Sequence, residues 1–407
     1  MSVKRSLATD LVCLGSFVVL GLPDGMLGTA WPSMRRAFGA PVADLGLVLV
    51  VTTAGAVGVS VFVGRLIRRL GVPTLLGIAA ACGALGAAGF ALAPGLWLVL
   101  AVAVLVGAAA GMMDGGLNTA VGLSGRSRLL NLLHGAYGVG TALGPLLVTV
   151  AIVIGSWRPA YLALVVSDLV IALLWLFLRQ PQPDTGSRPT GPRDEELVGQ
   201  HPSDHWSRRR ATWVLVAGMA IFFVYTGLEV AAGQWEASFG RGRLGLSPAS
   251  AGLATFGYWA ALTATRFGLA LIPRPPKPQL IVRWGAVAAI VATLAIWWQP
   301  DLGVTLSGFV VLGAALAGLF PALIALTPSR IGGMRAQHAI AWQVGAAAAG
   351  GSAISAVIGL LIGTSGYAVL GPSLAVLALL LMTGTVILGR VAPPADVKAE
   401  SESVVVL

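Results

Sequence analysis

Three acids stand inside long apolar runs, where charge is expensive: Asp24, Asp114 and Glu229. Placing a charged side chain mid-span costs roughly 2.5–3.5 kcal/mol on insertion scales, so such groups face a polar cavity and are functional by default. Asn118 follows Asp114 by four residues, which puts a carboxylate and an amide on one helical face. Asp24 sits in Gly21-Leu-Pro-Asp-Gly-Met, where Pro23 and Gly25 loosen the helix and bring backbone groups toward a cavity. Glu229 is followed by Gln234 and Trp235. A carboxylate and an amide can bind the hydroxyls of a solute while an indole packs on its apolar face; an interfacial anchor is the other reading of Trp235. His134, with Asn131 one turn before it, titrates near neutral pH and suits a proton relay. Arg266 pairs with one of the acids, gates the cytoplasmic side or snorkels to the interface, and Gln343 is a further candidate for the cavity wall.

The elements that position these groups follow from composition. Of 407 residues, 57% are hydrophobic and 10% charged, against about 25% charged in soluble domains. A window of about 20 residues finds twelve spans, near 9–30, 43–64, 73–92, 95–118, 130–154, 159–178, 212–238, 248–272, 279–298, 302–326, 335–363 and 366–389. The expected fold is an all-α membrane protein of two pseudo-symmetric six-helix bundles, 1–178 and 212–390. A Pro- and charge-rich linker, 179–211, joins them, and a tail, 391–407, follows.

Lys and Arg favour one set of loops by twenty to five, which places both termini in the cytoplasm and the chain in the plasma (inner) membrane. The net charge of +10 is a product of this topology and does not imply nucleic acid. Cys13 and Cys82 have no metal-ligand or disulfide spacing, and no Walker-type loop, nucleophile elbow or zinc motif is legible. The chain reads as a non-enzyme without cofactor or metal. The expected partners are the lipid bilayer and a small-molecule substrate, with the chain working as a monomer. The two halves also rhyme: Asp24 and Glu229 lie 205 apart, and Trp31–Trp235 and His134–His338 lie 204 apart, as a duplicated six-helix unit requires.

Twelve spans in a 6+6 arrangement resemble the major facilitator superfamily. Gly64-Arg-Leu-Ile-Arg-Arg-Leu-Gly71 is similar to its loop signature after the second helix, G-x-L-x-D-R-x-G-R-[RK], matching at Gly64, Leu66, Arg69 and Gly71. Arg68 stands at the signature's aspartate. Tyr225-Thr-Gly-Leu-Glu-Val-Ala-Ala-Gly-Gln-Trp235, Tyr258-Trp259 with Arg266, and Phe320-Pro321 resemble the fucose permease (fucose–galactose–glucose:proton symporter) branch. The resemblance implies proton-coupled symport of a sugar or similar solute, with Asp114 as proton carrier. It makes Asp24 a hydroxyl acceptor or second protonatable site. Gly140-x-x-x-Gly144-Pro145 is similar to a motif of drug:proton antiporters, which keeps export of drugs or secondary metabolites as the rival; close helix packing also explains that spacing.

Overall fold

The computed structural model describes residues 2–123, 126–178, 208–331 and 333–392. Most of the expected linker and nearly all of the tail lie outside these residues. The described residues form helices and turns: α1 (Ser2–Phe38), α2 (Asp44–Ser60), α3 (Val63–Leu70), α4 (Val72–Leu92), α5 (Leu96–Leu123), α6 (Ser127–Ile154), α7 (Arg158–Leu178), α8 (Arg208–Gly242), α9 (Pro248–Leu271), α10 (Pro278–Trp298), α11 (Leu302–Leu316), α12 (Leu319–Ile331), α13 (Gly333–Ser365) and α14 (Leu370–Val391). Ten spans are long and apolar enough to cross a membrane, with α11 and α12 together making one of them. The bent pair α2–α3 adds an eleventh. The less apolar α9, which carries Arg266, completes the twelve.

Two expected spans are not continuous. The second ends at Ser60, and α3 leaves it at 55°. The change follows the sequence, which turns from apolar to arginine-rich at that point; Arg65, Arg68 and Arg69 are exposed. Gly71 then stops α3 with φ +75° and ψ 158°, a conformation that a side chain disfavours. The tenth span, expected as one helix over 302–326, breaks at Ala317-Gly318 and continues to Ile331. Pro321 has no N–H to offer the carbonyl four residues back, which is that of Ala317.

In lipid no hydrophobic force drives helices together, so small residues that allow backbone approach decide which pairs form. A Cβ on Gly25 would stand 2.0 Å from the carbonyl of Thr141, and one on Gly140 would stand 1.9 Å from that of Val18. Close packing of α1 on α6 is thus what Gly140 and Gly144 accomplish here.

The first six spans and the last six meet along three lines. Helices α6 and α9 touch from Gly135 against Phe267 to Thr149 against Gly252. Helices α1 and α8 cross at Gly28 and Gln234, and the start of α2 packs on α13 at Gly46 and Ala356.

Candidate functional site

The site builds outward from one face of α8. Tyr225 and Glu229 are one turn apart, and the Tyr225 hydroxyl donates to Glu229 Oε2. Arg266 of α9 reaches the same carboxylate, with Nη2 3.2 Å from Oε2. The pair is largely shielded, with side-chain exposures of 26% for Arg266 and 13% for Glu229. Tyr258, also on α9, donates its hydroxyl to the main-chain carbonyl of Glu229 at 2.8 Å. Arg266 Nε donates to the carbonyl of Ala317 at 3.1 Å, supplying the hydrogen that Pro321 cannot. Leu316, next to the same break, lies with its carbonyl oxygen 3.2 Å from the Tyr225 hydroxyl oxygen. One guanidinium therefore both balances Glu229 and closes the backbone gap between α11 and α12.

The first half contributes Asp24 and Tyr137. Asp24 is exposed on a helix whose next turn is buried, and the Tyr137 hydroxyl of α6 donates to its carboxylate. Tyr137 lies within electrostatic range of both Glu229 and Arg266 in the other half. Gln234 is 2% exposed and donates Nε2 to the main-chain carbonyl of Asp24 at 2.7 Å. Its Oε1 is buried without a partner.

Asp114 is exposed and accepts from Asn118 Nδ2 at 2.8 Å, as their spacing predicts. His134 lies in electrostatic range of both Asp114 and Arg266, with its ring edge-on to Phe17 at 5.9 Å. Electrostatic range thus links Tyr137 to Glu229 and Arg266, and His134 to Arg266 and Asp114.

Other candidates stand elsewhere. Trp235 is fully buried, donates its N–H to the carbonyl of Ser355 at 3.0 Å and presses on Gly359. This corrects both the solute-facing and the interfacial readings of its ring, because the α8–α13 contact uses it completely. Gln343 is buried beside Thr327 and Arg330, with none of the acids among its partners. Asn131 starts the first turns of α6, and its side chain lies outside the described residues. A Cβ on Gly64 would meet only the guanidinium of Arg68, at 3.8 Å, and Arg69 is exposed and takes part in neither ion pair among the described residues.

Sequence reasoning does not reach Tyr137, since a tyrosine in a span carries no penalty that would mark it. Asp168 and Glu236 do carry such a mark. Both are acids in apolar spans and both are buried, Asp168 against Gly83 and Glu236 with Oε2 lacking any hydrogen-bond partner.

The family model described as Major Facilitator Superfamily matches residues 13–354. The chain belongs to that family. Among curated proteins none matches by sequence. Among solved structures, the chain is similar to the inward open xylose transporter XylE from E. coli, at 14% identity and a TM-score of 0.76, covering 98% of this chain and 99% of that one. It is similar to a D-xylose-proton symporter at 16% identity and 0.78, covering 96% and 98%. A point mutant of the nucleoside transporter NupG gives 13% identity and 0.71, covering 94% and 99%. At these identities the likeness concerns the fold. The chain is a membrane transporter of the major facilitator type, with twelve spans as the sequence predicts.

Proposed function

We propose that the chain carries a small polyhydroxylated solute together with a proton by alternating access. The observation that carries this reading is two hydrogen-bonded acids in electrostatic range of each other's partners, Asp24 with Tyr137 in the first half and Glu229 with Arg266 in the second. Carboxylates accept from hydroxyls and the guanidinium donates to them, so a sugar-like solute would exchange these contacts for its own. Such a solute would touch residues of both halves at once, and its binding would favour the arrangement that brings them together. The xylose and nucleoside transporters of similar fold support this solute class.

In this reading Asp114 takes the coupled proton. Its charge changes on protonation, and His134 stands where it can pass a proton between Asp114 and the Arg266 region. The bundles 1–178 and 212–390 rock about the site, with both termini in the cytoplasm, in the inner membrane, as a monomer.

The test is uptake of labelled sugars and polyols into vesicles holding the purified protein, under an imposed pH gradient. Accumulation driven by acid outside supports symport. Extrusion of an apolar compound in exchange for protons gives the export reading instead. A ligand that binds without crossing, with no proton movement, makes the protein a sensor.

A further inference from the structure

The 204-residue offset that relates His134 to His338 also relates Arg126 to Arg330, and Asp10 to Val214. In the first half, Arg126 and Asp10 form a two-armed ion pair, with Nη1 donating to Oδ1 at 2.7 Å. In the second half the arginine remains and the acid is replaced by valine. Arg330 is only 8% exposed, takes part in neither ion pair among the described residues, and its Nε is buried without a hydrogen-bond partner. A guanidinium cannot shed its proton, so burial leaves a positive charge that needs compensation.

Beside Arg330 is a cavity of about 10 Å³, lined among others by Val214, Gly218, Leu323, Thr327, Arg330 and Gln343. That volume holds a single small species. Gln343 Oε1 is 2.9 Å from the Thr327 hydroxyl. Its Nε2 is turned toward Gly218, where a Cβ would stand only 2.5 Å away. Arg330 and Gln343 both line the space, and the rest of the named wall is largely apolar. One anion can accept hydrogen bonds from both residues.

We infer that this cavity is a binding site for one halide-sized anion, chloride in the cell, held by Arg330 and Gln343 in place of the carboxylate that Asp10 supplies in the other half. The site is separate from the group around Asp24 and Glu229 and does not depend on the solute.

The experiment is thermal unfolding of the purified full chain, followed by intrinsic fluorescence, in sodium chloride or bromide against sodium gluconate at equal ionic strength. A bound anion stabilises the folded form, so halide is expected to give a saturable upward shift in Tm. Arg330→Met should abolish the shift. Val214→Asp should also abolish it, by returning the missing carboxylate, and this variant should melt in gluconate at least as high as the parent does. Equal melting of the parent in halide and gluconate would overturn the proposal and leave a water in the cavity. A halide shift that persists in Arg330→Met or in Val214→Asp would overturn it as well.

Discussion

Gln234 of α8 donates its side-chain N–H to the main-chain carbonyl of Asp24 on α1, 2.7 Å away, and so ties the two halves at the residue that carries the first acid. The carbonyl is available because Gly28, one turn on, lets α8 approach; a Cβ there would stand 2.6 Å from the carbonyl oxygen of Gln234. A polar tie and a missing side chain act together at one crossing.

Gly28→Ala should force α1 and α8 apart at that crossing. Overpacking of this kind costs about 1–3 kcal/mol. Its backbone neighbours have no rotamer with which to yield, so the expected response is separation of the halves at this end. Spin labels at Pro41 and Ser365, on either side of the α2–α13 contact, should show a longer distance in the variant than in the parent.

Arg266→Met should leave Glu229 unpaired and the carbonyl of Ala317 without its donor. Removing one partner of a buried pair costs about 3–5 kcal/mol. Partial exposure of both side chains places this pair at the low end of that range. Thermal unfolding should show the loss, and Arg266→Met with Glu229→Gln should recover part of it. Arg266→Lys should fail to restore transport, since an ammonium lacks the fixed fork that serves both groups.

Tyr137→Phe should remove the side-chain donor to the Asp24 carboxylate seen among the described residues. Hydrogen bonds to charged groups contribute about 1.5–3 kcal/mol, roughly ten- to a hundredfold or more in solute affinity if that carboxylate is held in place for binding. Solute binding measured in detergent should weaken on this scale while Tm changes little.

Asp114→Asn should abolish accumulation against a gradient while leaving counterflow of solute across vesicle membranes. Accumulation equal to the parent's would remove Asp114 from the coupling step. The same pair of assays on Asp24→Asn would then show whether the first-helix acid takes its place.

The spans are legible in the sequence because lipid demands about 20 apolar residues per helix, and few alternatives satisfy that demand. Asp24, Asp114, Glu229 and Arg266 are legible for the opposite reason, as charges where charge is costly. The gap at Ala317 is not, since that run stays apolar enough to pass as one helix. Tyr137 and the burial of Trp235 depend on which face each helix turns to its neighbours. A window that averages hydropathy discards that information.

Because α6 and α9 stay in touch from Gly135 and Phe267 to Thr149 and Gly252, the molecule has an axle already built into it. A contact this extended resists being unzipped from one end. Any entrance to the acids must then swing open to the side of this axle, and a chemical crosslink across α6 and α9 should be tolerated where one across α2 and α13 would jam the cycle.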